Sequence, residues 1–287
     1  MNKFKIKSFC KINLYLRVLS RLRNGYHSIK SLITFCDLHD VIFINKIKGT
    51  KDIVNFYGKF GKGINKKSNT ITKVLHLLRK KKFFRKEAFK ISIKKNIPHG
   101  SGLGGGSSNA AVLLNFFKSK MRLKISEKEI VKIAYKIGAD VPIILKKENT
   151  ILTGKKNQFL RINNKFNLNI IIVYPNIYCS TEEIYKRNKK FSYNKPSLKY
   201  LVKNKSKLID SLKNENNDLE KIVIKLYPKI GNLINFIKIQ DGCYFSRITG
   251  SGSACIGIFS NEGNAVCAQK LIKLKFPKYW SMRSKTI

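Results

Sequence analysis

Carboxylates are scarce in this chain. Its 287 residues include 16 Asp and Glu against 59 Lys and Arg, a formal charge of +43. A balance that basic prompts a nucleic-acid reading. Against that reading, the cations are spread in clusters such as Arg79 to Lys82 and Lys186 to Lys190, with no single basic arm or recognition helix. Zinc-finger spacing, a ribonucleoprotein signature and a basic-zipper pattern are all missing. Lys, Asn, Ile and Phe are plentiful together, as a skewed genome composition would produce. We therefore expect no specific nucleic-acid partner, only salt-sensitive, non-specific binding to polyanions.

Cysteine offers no framework. The six cysteines, at 10, 36, 179, 243, 255 and 267, form no Cys-x-x-Cys pair, so they read as reduced thiols of a cytoplasmic protein and imply no zinc. Long apolar runs are also lacking. Lys11, Asn13 and Arg17 interrupt the apolar residues of the basic N-terminus, and no later stretch is long enough to span a bilayer. Neither a secretion signal nor a membrane partner is expected. There is no internal repeat and no low-complexity linker. At 43% hydrophobic, the chain can build one large or two moderate cores.

What the chain does have is a glycine loop. Pro98-His99-Gly100-Ser101-Gly102-Leu103-Gly104-Gly105-Gly106-Ser107-Ser108-Asn109 carries five glycines in front of an apolar helical pattern, Ala110, Leu113, Leu114 and Phe117. Before it, Phe89 to Lys95 alternates as a half-buried strand does. Strand, glycine loop and helix in that order suit a nucleotide phosphate, because glycine lets backbone N–H groups approach an anion and the helix start is partially positive. Ser107 or Ser108 is placed to cap the helix. A Walker A loop is excluded, since no lysine follows the glycines. A dinucleotide fingerprint is formally present at Gly100, Gly102 and Gly105, but no acidic ribose ligand follows at the expected distance.

Two further stretches join the loop. Lys11-Ile12-Asn13-Leu14-Tyr15-Leu16 with Asn24-Gly25-Tyr26-His27 lies near the N-terminus, and Ile248-Thr249-Gly250-Ser251-Gly252-Ser253-Ala254-Cys255 near the other end. With Pro-x-x-x-Gly-Leu-Gly and Ser-Ser-x-Ala in the loop, these resemble the three motifs of the GHMP kinases, the superfamily of galactose, homoserine, mevalonate and phosphomevalonate kinases. Gly138-Ala139-Asp140-Val141-Pro142 and the Gly-Tyr-His element narrow the resemblance to the branch acting on a cytidyl-linked methylerythritol. It runs from about Ser8 to Ile258. His99 and Ser101 depart from the loop's family pattern.

The resemblance implies an α+β, two-domain fold: a ribosomal-S5-domain-2-like nucleotide domain over 1–155 and a ferredoxin-like α+β domain over 156–287, with the active site between them. It implies ATP as phosphoryl donor, held by Pro98 to Asn109 (His99, Gly100, Ser101, Gly102, Leu103, Gly104, Gly105, Gly106, Ser107 and Ser108 included), with adenine contacts from Asn69 and Lys95. Mg²⁺ comes with ATP; Ser107 or Ser108 could supply a hydroxyl, and its ligands are left unassigned. The small-molecule acceptor pocket is implied to be lined by Asn13, Tyr26, His27, Thr181, Tyr185, Gly250, Ser251 and Gly252. Tyr26 would stack on the pyrimidine, Tyr185 would close its other face, and His27 would read its edge. A monomer and a homodimer both remain open.

Phosphoryl transfer needs an in-line hydroxyl, charge neutralisation and a carboxylate near the hydroxyl proton. Asp140 is the candidate carboxylate; an aspartate that merely satisfies turn amides is the alternative. Lys11 is the second catalytic candidate, since an ammonium beside the hydroxyl stabilises the developing alkoxide. Composition gives it no distinction among so many lysines; its place in Lys-x-Asn does. Asn217-Asp218-Leu219-Glu220 reads as ordinary helix polarity near the domain interface, with a family role in domain packing as the alternative, and Gly250 to Gly252 also fits a plain tight turn. Two rivals stay open: a homoserine- or mevalonate-type kinase, and a basic nucleic-acid-binding protein that would leave Lys11, Asp140 and the loop without a task.

Expected elements are strands at 13–18 and 41–44, a helix at 70–79 with Ile71, Val74, Leu75 and Leu78 inward, and a helix boxed by Ser126 and Glu129 and ended by Gly138. A strand at 168–174 and helices near 197–213, 229–238 and 263–274 follow.

Overall fold

The computed structural model describes residues 3–23, 25–84, 87–121, 123–154, 158–193 and 204–287. The chain divides into two compact units, each drawn from three segments. The first comprises Met1–Lys11, Leu38–His99 and Gly104–Lys147; the second comprises Ile12–Asp37, Gly100–Leu103 and Glu148–Ile287. Two long paired strands, β1 (Lys3–Arg21) and β2 (His27–Ile47), each contribute to both units. From Cys10 to Val18 every residue of β1 is buried, so its polar residues Lys11, Asn13 and Arg17 must find partners inside the protein.

In the first unit, β3 (Ile53–Tyr57), α1 (Thr70–Lys80) and β4 (Ala88–Lys94) form a parallel β-α-β crossover. β4 runs antiparallel to the end of β2, Val41 opposite Lys94. The inward face of α1 is Ile71, Val74, Leu75 and Leu78, as its spacing predicts. Then come α2 (Gly105–Ser119), α3 (Glu127–Ile137) and the short α4 (Val141–Ile144). Phe84, Phe89 and Phe117 meet edge to face, with centroids 4.8 to 5.0 Å apart, and bind α2 to the sheet.

Two capping expectations need correction. Ser107 and Ser108 lie inside the first turn of α2, whose N-cap is Gly104 in the left-handed region (φ 68°) with no side-chain cap. Ser126 does accept the Glu129 N–H, but the Glu129 carboxylate pairs with Lys81 at 2.6 Å instead of returning to close the box.

In the second unit, β5 (Asn149–Thr153) and β6 (Phe159–Ile162) form a hairpin beside the first part of β2. The chain continues through β7 (Asn169–Tyr174), α5 (Thr181–Arg187), α6 (Lys205–Lys213), α7 (Glu220–Leu226), α8 (Pro228–Lys238), β8 (Cys243–Ile248), β9 (Cys255–Phe259), α9 (Glu262–Lys275) and β10 (Trp280–Lys285). β10-β7-β9-β8 is an antiparallel sheet, and α8 and α9 bury Ile230, Leu233, Ile237, Ala268 and Ile272 against Ile171, Val173 and Phe259. Residues 197–203 of the expected helix lie outside the described residues; its described part begins after the Asn204 cap.

Asn217 to Glu220 is no surface polarity. Asp218 accepts the Val18 N–H at 2.7 Å, and Glu220 accepts the Ile248 N–H at 2.8 Å. Burial pushes the Glu220 carboxyl above the usual range, with the Ile248 bond and Arg247 opposing. An acid whose pKa is raised by folding binds its proton more tightly in the native state, so its contribution is full below about pH 4.5 and is lost as pH rises through the raised value. Glu220→Gln keeps an acceptor for Ile248 without that loss. Thermal melts of both proteins should show the variant gaining on wild type from pH 4 to pH 8; an offset independent of pH would contradict the assignment.

Candidate active site

The first unit carries a cation and a carboxylate in contact. Lys11, 7% exposed on β1, places its ammonium 3.2 Å from Asp140 Oδ2, which is 36% exposed. Asp140 stands at the N-cap of α4, and its carboxylate makes no capping hydrogen bond. The turn amides are met elsewhere: the Val141 N–H donates to the Gly138 carbonyl at 3.1 Å. The carboxylate is therefore not consumed in satisfying the turn. Pro142 at the helix start fixes φ and needs no N–H there, which makes the presentation rigid.

Gly104 of the glycine loop lies against the lysine of this pair. At Gly104 a Cβ would lie 2.6 Å from Lys11 Cγ, and φ is positive, so only glycine lets the lysine stem pass beside the start of α2. The first turn of α2 leaves Ser108 Oγ and Asn109 Oδ1 buried with no hydrogen-bond partner. Buried polar atoms are ordinarily satisfied, so an orphaned pair at a helix N-terminus is what an anion with its counter-ion would complete. Thr70 Oγ1 donates to the Gly106 carbonyl at 2.8 Å and ties α1 to the same turn. Pro98 is buried and His99 exposed at the loop's entrance.

Asn69 and Lys95 are occupied by the fold. Asn69 Oδ1 accepts the Ile71 and Thr72 N–H groups and its amide donates to the carbonyls of Asn65 and Lys66. The buried Lys95 ammonium pairs with the fully buried Asp40, which also accepts the N–H groups of Asn96 and Ile97 on the approach to the loop. Burial pushes the Lys95 ammonium below its usual range, against the pull of Asp40. Asp40 was not singled out by sequence; a carboxylate this rare, alternating inward on a strand, was the available signal.

The second unit gathers the other predicted residues. Asn13 donates its side-chain amide to Ser31 Oγ at 2.8 Å and its N–H to Thr249 Oγ1 at 2.8 Å. Lys11 and Asn13, two apart on β1, project to the same side of that strand. His27 and Tyr185 lie ring against ring, centroids 5.0 Å apart, while Tyr26 is 63% exposed. Burial, with Arg21 nearby, pushes the His27 imidazole below its usual range, so at pH 7 it is neutral and can both donate and accept. Thr181 Oγ1 and Ser251 Oγ are 2.9 Å apart.

Gly100 to Leu103 sit in this same unit, on the Thr249–Ala254 turn. The Ala254 N–H donates to the Ser101 carbonyl at 3.0 Å, and the Gly102 α-carbon is pressed so closely on the Thr249 carbonyl that a Cβ would overlap it. Thr249 and Ser31 thus hold Asn13 in place without having been singled out for it.

Comparisons with known proteins place the chain in a family. Residues 69–148 match the GHMP kinases N terminal domain and residues 197–271 match GHMP kinases C terminal. A protein named 4-diphosphocytidyl-2-C-methyl-D-erythritol kinase from Pelagibacter ubique is 39% identical over the full length of both chains. One of the same name from Anaplasma phagocytophilum is 30% identical over all of this chain and 96% of its own. The crystal structure of a 4-(cytidine 5'-diphospho)-2C-methyl-D-erythritol kinase shares the fold, with a TM-score of 0.77 over 98% of this chain and 99% of that one at 21% identity. With its loop, its Lys11–Asp140 pair and full-length relatives at that identity, the chain belongs to the GHMP kinases, in the family of the 4-diphosphocytidyl-2-C-methyl-D-erythritol kinases.

Proposed function

We propose that this protein transfers the γ-phosphoryl group of ATP to the 2-hydroxyl of 4-diphosphocytidyl-2-C-methyl-D-erythritol, giving the 2-phosphate and ADP, as a cytoplasmic enzyme of the non-mevalonate route to isopentenyl diphosphate. The observation that carries the reading is the Lys11–Asp140 pair, 3.2 Å apart beside the Gly104 helix start, in a chain 39% identical throughout to a relative of that name.

In this reading Asp140 accepts the proton of the 2-hydroxyl as its oxygen attacks the γ-phosphorus, and the bond to the β-phosphate oxygen breaks to release ADP. Lys11 offsets the negative charge that builds on the attacking oxygen. The N–H groups of the loop and of the start of α2 hold the phosphates, with the helix dipole assisting. Asn13, His27, Thr181, Tyr185 and the Gly250–Gly252 turn hold the acceptor; the neutral His27 reads the cytosine edge and Tyr26 and Tyr185 flank the base.

Mg²⁺ would enter with ATP and neutralise phosphate charge. Among the described residues no three His, Cys, Asp or Glu side chains cluster as a metal site, whereas the orphaned Ser108 hydroxyl is a hard oxygen donor at the helix start and fits such an ion. Ser107 or Ser108, with the phosphates and water, would then hold it.

Asp140→Asn should lower turnover about a hundredfold or more, with ATP affinity and melting temperature near wild type, when ADP release is followed with the cytidyl acceptor. Near-normal turnover would remove Asp140 as the base. Gly104→Ala should cut ATP affinity about tenfold, since its methyl displaces Lys11 and strains the loop; calorimetric titration checks it, and unchanged affinity would contradict the role given to the loop.

A further inference from the structure

Asn217 sits in the connection between α6 and α7 and is 4% exposed. Its side chain faces two ways. Oδ1 accepts the Leu219 N–H at 3.0 Å, in the turn that leads into α7. The amide nitrogen donates to the Ile248 carbonyl at 3.1 Å and to the Gly250 carbonyl at 2.8 Å, one on each side of Thr249. Closing that turn needs only the acceptor. The donor half grips the backbone of a separate turn some thirty residues on.

That turn carries much of what this unit offers a substrate. Thr249 Oγ1 accepts the Asn13 N–H, and the Gly252 N–H closes back on the Thr249 carbonyl at 3.1 Å. Ser101 and Gly102 of the phosphate loop rest on it, through the Ala254 N–H and the close approach of the Gly102 α-carbon to the Thr249 and Gly252 carbonyls. Ser251 presents its hydroxyl to Thr181. Gly250 and Gly252 both have positive φ, so the turn consists of permissive backbone that needs an outside grip to hold one shape.

We propose that Asn217 is a positioning residue for phosphoryl transfer: its amide N–H groups hold the Ile248 and Gly250 carbonyls so that Ser101, Gly102 and Ser251 are set for the phosphates and the acceptor. The inference rests on the functional reading above. It assigns the two ends of one buried side chain to different tasks, the oxygen to folding and the nitrogen to the site.

Asn217→Asp separates them. The variant keeps an acceptor for Leu219 but, when ionised, has no donor for the two carbonyls. A carboxyl buried against carbonyl oxygens favours its proton, and the protonated form returns one O–H donor. ATP affinity by calorimetry and steady-state kinetics are measured at pH 8 and pH 6 for wild type, Asn217→Asp, Asn217→Ala and Leu233→Ala, the last a purely core truncation in the same unit.

The expected result is a loss of about tenfold or more in ATP affinity and kcat/KM for both Asn217 variants at pH 8. Only Asn217→Asp recovers toward wild type at pH 6, and Leu233→Ala melts early with unchanged KM values. Wild-type affinity in the Asn217 variants, or a deficit in Asn217→Asp that is equal at both pH values, would overturn the proposal. A wild-type protein that binds ATP without turning over the cytidyl acceptor would overturn the functional reading instead, and the ATP affinities would still decide on Asn217.

Discussion

A buried ammonium on β1 is the constraint around which the proposed catalytic residues are organised. Lys11 is almost wholly withdrawn from water, and an ammonium in that position requires a counter-charge. Asp140 supplies it from a short helix that is capped by backbone, so that the carboxylate remains available to the lysine. Gly104 gives up its side chain where the lysine stem passes, and thereby joins the glycine loop to the lysine of the ion pair. The same strand carries Asn13 two residues on, where its N–H and amide are anchored by Thr249 and Ser31. Local geometry, burial and chemistry meet in a handful of residues.

The scarcity of acids makes their distribution informative. Of 16 carboxylates in the chain, several are withdrawn from solvent in places the fold depends on. Asp40 holds Lys95 and two backbone N–H groups ahead of the loop, and Asp52 takes a forked contact from Arg79 together with the Phe89 N–H. Glu215 pairs with Arg17 at 2.6 Å inside the second unit, where Lys30 and Tyr15 are also buried. The surplus positive charge belongs to the surface, where paired or not it contributes little to stability. The buried acid–base pairs therefore account for only a small part of the chain's 59 cations.

Much of this was legible from the sequence because the signals were local. The strand, glycine loop and helix order, the inward face of α1, and the Ser126 start of α3 all follow from periodicity and capping. The Lys11 and Asp140 assignments came from motif resemblance, since no local pattern distinguishes one lysine among so many. What escaped was non-local. Asp40, Thr249 and Asn217 act on partners 55, 236 and about 30 residues away, and nothing in their immediate sequence encodes those meetings. The Ser107 and Ser108 capping expectation failed for a physical reason: a glycine in the left-handed region can begin a helix with its backbone alone, leaving the serine hydroxyl beyond it free for another partner. The glycine loop and the first two strands each contribute residues to both units, a division that no local composition encodes.

The central claim is that Lys11 and Asp140 act as one device on the acceptor hydroxyl. A double-mutant cycle on kcat with Lys11→Ala, Asp140→Asn and the combined variant tests it most directly. The account predicts strong non-additivity, with the double variant about as slow as the slower single one and ATP affinity maintained in all. Losses that simply multiply would mean that the two groups work independently, and would contradict the account.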